Sequence, residues 1–125
     1  MRTIKFCGKH GDKWLYGDLL QHEDGTCYIY PSSAPDSPDN YTVDPNTVGQ
    51  FTELFDKDNN EIYDGAIMAI ETPISGLYDY RRVQYSDIKG AWIAVTDHTW
   101  SYLHEINSEY KVVGNIHDQN NKNEV

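Results

Sequence analysis

Residues 51–70 read FTELFDKDNNEIYDGAIMAI and hold the clearest strand–turn–strand pattern in the chain. The approach from Val48 to Leu54 is typical of extended backbone. Residues 56–60 predict a tight turn, because Asp and Asn tolerate left-handed geometry and bond to nearby backbone groups. Ile62-Tyr63 then leads through Asp64-Gly65 into a mostly apolar strand over residues 66–70. This stretch therefore indicates short strands joined by tight turns.

The same pattern continues on both sides of this stretch. Further strands are predicted over residues 2–7, 13–21, 26–30, 41–43, 81–85, 91–95 and 110–116. Gly17 lies inside the second of these, where glycine often marks a bulge or a bend. Asp44-Pro45 predicts one helical turn with an Asp N-cap, and residues 97–106 predict a short helix. Many short strands without long helical periodicity predict a mainly β fold, either a small open barrel or a sandwich.

The chain length fits a single domain. Its 125 residues leave little room for a second one. We expect a β domain over residues 1–117 and a polar, disordered tail over residues 118–125. The segment from Pro31 to Asn40 holds three Pro and three Ser, which predicts an exposed, mobile loop rather than a helix or central strand. Whether this loop contacts a partner stays open.

Charge and cysteine content narrow the functional classes. Asp and Glu outnumber Lys and Arg by 20 to 10, for a net charge of −10. Such a surface repels phosphate backbones, which argues against direct nucleic-acid binding and suits solubility or a basic protein partner. The sequence shows neither a secretory signal nor a run of ~20 apolar residues, so we expect neither export nor a membrane span. Cys7 and Cys27 are predicted to be reduced thiols of a cytoplasmic protein, although a disulfide stays open if their strands pair.

No catalytic or metal-binding set emerges from the residue patterns. Asp56-x-Asp58-x-Asn60 imitates the start of an EF-hand loop, but Glu61 and Ile67 stand where that loop needs Gly and Glu, so a β-turn is favoured. Both cysteines lie in strand-like runs, where free Cys usually packs as a small hydrophobe. The histidines lack zinc-site spacing. These histidines are His10, His22, His98, His104 and His117. We therefore predict no catalytic residue, no cofactor and no metal.

Several aromatic residues form a further candidate. Tyr28, Tyr30, Tyr85 and Trp92 would suit a face that stacks bases or sugars. Binders of single-stranded nucleic acid back such a face with positive charge, which this chain offers only at Arg81-Arg82. Packing in the core is therefore the favoured interpretation.

Four stretches of the sequence resemble the YopX-like proteins. Within residues 51–67, the run ELFDKDNNEIYDGAI resembles the family signature GL(K)DKNGKEIYEGDI, and VVGNIHD at residues 112–118 resembles its closing VIGNIYEN. IKF at residues 4–6 and WLYGDL at residues 14–19 are similar to the family's opening IKFRGK…WVYGDL. The motifs occur in the family's order and cover most of the chain. The resemblance implies a phage or prophage accessory protein with a mainly β, SH3-like barrel and no established biochemical activity.

The chain departs from this family pattern at three places. Glu53 stands where the family has Gly, and Asn59-Asn60 where it favours Asn-Gly. Ala66 replaces an acidic residue, which removes one carboxylate from any pair at that position. An activity that needed that carboxylate would be in doubt here.

The residues singled out are structural. We expect Gly65 and Gly114 to satisfy tight backbone geometry, and we expect Tyr63, Ile67, Trp92, Val113 and Ile116 to build the core. The structural motif residues are Gly17, Tyr63, Gly65, Ile67, Trp92, Gly114, Asn115 and Ile116.

Three functions remain as hypotheses. The first is a non-enzymatic interaction module in the host bacterial cytoplasm, binding a phage or host protein or itself, without nucleic-acid or membrane contact. A homo-oligomer is expected because a short barrel leaves strand edges exposed. The alternative is an acidic decoy or inhibitor of a host nucleic-acid enzyme, suggested by the charge. An enzyme is the third, and it would require a deep polar pocket.

Overall fold

The computed structural model describes residues 3–32 and 38–118. The chain divides into two compact units, Met1–Phe51 (unit 1) and Thr52–Val125 (unit 2). Each unit is built mainly from antiparallel strands.

Unit 1 is one antiparallel sheet in which the strands neighbour one another in the order β4-β3-β2-β1-β5. Its strands are β1 (Phe6–His10), β2 (Lys13–Gln21), β3 (Cys27–Tyr30), β4 (Thr42–Val43) and the start of β5 (Gly49–Phe55). Two 3-10 helices, Pro38–Tyr41 and Pro45–Thr47, precede β4 and β5. The second has the predicted cap, because the Asp44 carboxylate accepts a hydrogen bond from the Asn46 N–H at 3.0 Å.

The long strand β2 is shared between two neighbours. Residues Lys13 to Gly17 pair with β1, and Asp18 to Gln21 pair with β3. Gly17 therefore lies at the change of partner, where the sequence predicted a bend. The core of this unit packs on one side of the sheet, with further contacts from Phe6, Leu19, Tyr30 and Val48. Its buried members are Leu15, Cys27, Ile29, Tyr41 and Val43.

Unit 2 holds a five-stranded antiparallel sheet in the order β10-β9-β8-β7-β11, and the end of β5 neighbours β6. Its strands are β6 (Glu61–Tyr63), β7 (Ala66–Glu71), β8 (Tyr78–Ser86), β9 (Ala91–Val95), β10 (Trp100–Tyr102) and β11 (Lys111–Asn115). A single-turn helix, α1 (Leu103–Ile106), follows β10. Its core joins the sheet to β6 and α1 through Ile62, Ala66, Met68, Val83, Ala94, Leu103 and Tyr110.

Four local predictions are corrected. The first strand, predicted over residues 2–7, is β1 (Phe6–His10) and runs through Gly8, which pairs with Leu15, so that the turn falls at Gly11. The missing side chain of Gly8 leaves room for Val43, whose Cβ would lie 3.0 Å from an added Cβ. A helix over residues 97–106 is wrong for residues 100–102. There Thr96 Oγ1 accepts hydrogen bonds from the N–H groups of His98 and Thr99 (both 3.1 Å), and this turn sends the chain back beside β9 as a strand.

The segment from Pro31 to Asn40 is likewise not loop throughout, because it enters the 3-10 helix Pro38–Tyr41, where proline suits a first helical position. Residues 33–37 lie outside the described part. The placement of Val113 and Ile116 in the core is also wrong. They are 41% and 46% exposed, and the register of β11 shifts between Val112 and Gly114, which turns the chain at this point.

The mainly β prediction is confirmed. The SH3-like barrel and the domain boundary at residue 117 stay predictions, and residues 119–125 of the expected tail lie outside the described chain. No helix in residues 3–32 and 38–118 has the length and apolarity of a membrane span.

Candidate functional site

The pairing of β7 with β11 brings together residues from two distant motifs. Gly114 lies opposite Ile67, and Asn115 lies opposite Ala66. The Gly65 N–H donates to the Val83 carbonyl, and the Ile116 N–H donates to the Gly65 carbonyl, both at 2.9 Å. We call Gly65, Ile67, Gly114, Asn115 and Ile116 the motif cluster.

Gly65 is the residue of the cluster with the narrowest backbone requirement. Its φ is 91°, a left-handed conformation that favours glycine. A Cβ atom here would also approach the Asn115 side-chain amide to 3.4 Å. Gly114 lies where the β11 register shifts, a position at which the missing side chain lets the strand bend.

After the motif cluster, the chain forms a tight turn that two hydrogen bonds hold. Asn115 Oδ1 accepts from the His117 N–H at 3.0 Å, and Asp118 Oδ2 accepts from the Asn115 N–H at 2.9 Å. Beside this turn, burial raises the pKa of Asp64, against the opposing effects of the His117 charge and a hydrogen bond from Gly65. The hydrogen bonds described for the cluster all involve backbone groups, so its main role is structural: it holds the end of β11 and the following turn beside the start of β7.

Asp56 holds a second structural centre in unit 2. It is 5% exposed, and its carboxylate accepts from the N–H groups of Val112 (2.8 Å), Asn60 (2.8 Å) and Asp58 (2.9 Å). Burial raises the pKa of this carboxyl, but the hydrogen bonds outweigh burial and leave it below the ordinary value of 3.8. In the turn that resembles an EF-hand loop, the first carboxylate, that of Asp56, therefore accepts hydrogen bonds from the protein's own backbone.

A third polar group surrounds Arg81. The Arg81 guanidinium contacts Asp79 Oδ2 at 3.1 Å and donates to Ser101 Oγ at 2.8 Å. The Tyr110 hydroxyl also donates to Asp79, at 2.7 Å. Burial, with the Asp79 hydrogen bond, raises the pKa of Tyr110 to about 12. These groups satisfy one another, so the network joins β8, β10 and the residue before β11.

The other predicted residues lie outside the motif cluster. Tyr63 is buried and donates to Glu61 Oε1 at 2.9 Å. Trp92 packs against the core of unit 2 and meets Tyr85 edge to face at 5.3 Å. Tyr28 and Tyr30 stack at 6.0 Å in unit 1, so each of the two aromatic pairs lies within its own unit. Gly17 also belongs to unit 1.

The candidates for metal or nucleophile chemistry are dispersed. Within residues 3–32 and 38–118, no three His, Cys, Asp or Glu side chains are grouped to hold a metal ion. Cys7 and Cys27 are buried free thiols. His10 Nδ1 lies 2.7 Å from the Thr42 carbonyl oxygen, and His104 stacks on Tyr102 at 5.3 Å. These two imidazoles therefore contact neighbouring strands or rings.

The arrangement agrees with a family comparison. The family model described as "YopX protein" matches residues 9–122. The chain belongs to the YopX family. No curated protein matches it significantly. In this YopX chain, the match includes the turn at Asp56 and the whole motif cluster.

Two departures from the YopX pattern fall at unusual backbone positions. Glu53 and Asn59 both have φ of 70°, and they are the non-glycine residues with positive φ in the described chain. When the quoted family signature is aligned on Asp56 and Gly65, the glycine of its Asn-Gly pair falls at position 59 rather than 60. Position 59 is also the one whose positive φ favours glycine. Asn tolerates this conformation, whereas Glu does so at a cost of ~1–2 kcal/mol. The Thr52 hydroxyl holds the backbone on both sides of Glu53. It donates to the Ile62 carbonyl at 2.8 Å and accepts from the Leu54 N–H at 3.2 Å.

Replacing Glu53 with glycine should therefore stabilise this YopX protein. Relief of left-handed strain exceeds the extra chain entropy of glycine, for a net gain of about 0.5–1 kcal/mol in unfolding free energy. Urea denaturation measures the change. Gln50→Gly, in the same strand but without positive φ, is the control and should destabilise the protein. A loss of stability in Glu53→Gly would contradict the prediction.

Sequence reasoning missed the long-range roles of Asp56 and Arg81. Residues 56–60 did predict a turn and lie within the family signature, but neither observation pointed to Val112. For Arg81, the signal available was a pair of arginines in a strand next to an aspartate, Asp79. Charged residues inside a strand that faces a core usually have partners.

Proposed function

We propose that this YopX protein is a non-enzymatic protein-interaction module, an accessory protein of a phage or prophage that acts in the bacterial cytoplasm. The observation that carries the proposal is the difference between the two edges of the unit 2 sheet. One edge is blocked by side chains, and the other carries exposed aromatic surface. An edge strand is a template for pairing with another chain unless its backbone groups are already occupied.

The blocked edge is β11. The Val112 N–H donates to Asp56 at 2.8 Å, and the Asn115 N–H donates to Asp118 Oδ2 at 2.9 Å. These two carboxylates occupy donors that an added strand would need.

The other edge is β10, whose neighbour in the sheet is β9. Trp100 is 42% exposed and packs edge to face on Tyr102 at 5.1 Å, and Lys89 Nζ lies 4.8 Å from the Trp100 ring centre. Aromatic side chains supply large contact areas at interfaces. Pairing of β10 with β10 of a second copy about a two-fold axis would cover this edge.

Light scattering of the purified protein tests self-association. The wild type should be a dimer at micromolar concentrations, and Trp100→Glu should be a monomer because it places charge on the pairing edge. Val113→Glu, at a residue 41% exposed on the blocked edge, should remain a dimer. A monomeric wild type, or a dimer lost only in Val113→Glu, would remove β10 pairing from the proposal.

The second candidate function is an acidic decoy of a host nucleic-acid enzyme, favoured by the net charge of −10. Affinity purification from infected cells at two salt concentrations separates it from the first. A decoy should capture a basic host enzyme at low salt and lose it at high salt. An interaction module should retain itself or a specific protein partner at both.

A further inference from the structure

Unit 1 presents a sheet face that its core covers only in part. In the register of β2 with β3, Asp18 lies opposite Tyr30 and Leu20 lies opposite Tyr28. Directly opposed residues share one side of a sheet. We call these four residues the tyrosine face. The alternate residues of β3, Cys27 and Ile29, are buried in the core on the other side.

The tyrosine face is partly apolar, and Tyr30 also packs against the core of unit 1, with its ring centre 5.5 Å from that of Tyr41. The Tyr28 and Tyr30 rings are nearly parallel, 6° apart in orientation, with centres 6.0 Å apart. Leu20 is 44% exposed, and the His22 ring packs edge-on to Tyr28 at 5.2 Å. Grouped apolar side chains on a surface mark interaction sites more often than single ones do.

Apart from His22, the charged side chains of β2 beyond its first residue, of β3 and of the turn between them are all acidic. The sequence has no Lys or Arg between Lys13 and Lys57, so β2 beyond its first residue, β3 and β4 carry no cationic Lys or Arg. Asp18 on the face and Glu23 and Asp24 in the β2–β3 turn are exposed. Tyrosine rings attract cations through their π faces, and the carboxylates strengthen that preference.

We propose that the tyrosine face binds a basic, extended segment of a partner protein, an inference that rests on the proposed function as an interaction module. An arginine guanidinium stacks on Tyr28 and Tyr30 and pairs with Asp18, and an apolar side chain of the segment covers Leu20. Arginine suits the site better than lysine because its planar group stacks on a ring and still donates hydrogen bonds.

Other occupants fit this surface less well. Nucleic acid is repelled, because its phosphates would face the carboxylates of Asp18, Glu23 and Asp24. A second copy of the same face would oppose acid to acid, and like-charge contacts disfavour an interface. The complementarity therefore selects a cationic protein segment.

Titration of the full-length, isotope-labelled protein with a defined peptide tests the proposal. The probe is a short capped peptide of Arg, Ser and Leu in repeating order, and the control peptide has Glu in place of each Arg. Backbone NMR shifts should concentrate at Leu20, Tyr28 and Tyr30, and a Lys version should bind more weakly. Binding of the Glu peptide, shifts concentrated on the acids of unit 2, or no binding at all would overturn the proposal.

Matched variants locate the contact. Tyr28→Ser should weaken binding of the Arg peptide about tenfold, the loss expected for a cation–π contact in a partly dry site. Leu20→Ser, at an exposed position, gives a second variant with little risk to folding. Tyr85→Ser and Asp87→Asn are the controls, since both are exposed in unit 2, and they should bind as the wild type does. Equal effects of Tyr28→Ser and Tyr85→Ser would contradict the assignment.

The two proposals can fail separately. If a partner purified from infected cells is retained equally by the wild type, Tyr28→Ser and Leu20→Ser, the tyrosine face is not the site but the interaction module stands. If the protein neither self-associates nor retains any partner, the proposed function itself is wrong.

Discussion

The Asp56→Ala variant is expected to lose about 3 kcal/mol of unfolding free energy, because hydrogen bonds to a buried carboxylate are strong and their orphaned donors are costly. Three N–H groups lose their acceptor at once, those of Asp58, Asn60 and Val112. The first two belong to the β5–β6 turn, whereas Val112 belongs to the edge strand β11. A single carboxylate thus joins two parts of unit 2, and its removal loosens both.

Urea denaturation at neutral pH measures this loss. Asp58→Ala is the matched control, since Asp58 is an exposed carboxylate two positions further along the same turn, and it should change stability by no more than ~0.5 kcal/mol. Asp56→Asn should fall between the two, because its amide keeps one oxygen acceptor. Equal stabilities of Asp56→Ala and Asp58→Ala would show that Asp56 does not carry this role.

The stability contributed by Asp56 should also depend on pH. The hydrogen bonds hold the pKa of Asp56 in the folded protein below its ordinary value of 3.8. A carboxyl group of lowered pKa contributes stability that is present above the unfolded pKa and is lost as the pH falls through the folded pKa. The difference between wild type and Asp56→Ala should therefore be constant near neutral pH and shrink in acid below 3.8.

The Gly17→Ala variant is expected to lose a similar amount of unfolding free energy, through a clash in unit 1. A Cβ atom at Gly17 would overlap the Tyr30 carbonyl oxygen and lie 2.7 Å from the Tyr30 carbonyl carbon. Both are backbone atoms that cannot rotate away, so β2 and β3 must separate at the point where β2 changes partner. We expect a loss of about 3 kcal/mol, at the upper end for overpacking.

Gly25→Ala is the control for Gly17→Ala. Gly25 has φ of 94° and no atom within 4 Å of an added Cβ, so alanine there adds backbone strain without a clash. The buried thiols of Cys7 and Cys27 both lie in unit 1. Their rate of reaction with a thiol reagent should rise most in Gly17→Ala. Equal rates of thiol reaction in Gly17→Ala and Gly25→Ala would show that the close approach of Tyr30 is not the reason why position 17 requires glycine.

Local signals carried the sequence-based predictions that were confirmed. The Asp44 cap uses the next residues of the chain, and the turn from Asp56 to Asn60 closes through bonds over at most four residues. The strand positions followed from short runs of apolar and aromatic residues, and the strands predicted over residues 81–85 and 91–95 pair as β8 and β9, with Ser86 opposite Ala91. Such patterns depend on neighbours along the chain, so a single sequence is enough to recognise them.

The remaining features depend on contacts that a single sequence does not encode visibly. Gly8 looked like the end of a strand, but its lack of a side chain makes room for Val43, far along the chain. Val113 and Ile116 are apolar residues of a predicted strand, yet both are exposed beside the register shift in β11. The family motifs singled out Gly65 and Asn115, but nothing in the sequence indicated that these two residues lie side by side. Which residues meet is a question of register, and one bulge changes the answer for a whole strand.

The absence of Lys and Arg between Lys13 and Lys57 also decides how this protein can be mapped by chemistry. Trypsin has no cleavage point in that stretch, so a complete digest leaves residues 14–57 as one long peptide, whether or not a partner was bound. Amine-reactive cross-linkers have no lysine to attach to there. Footprints of the tyrosine face must therefore come from acid-specific proteases, carboxylate-directed reagents or tyrosine labelling, and an empty lysine cross-link map would say nothing about it.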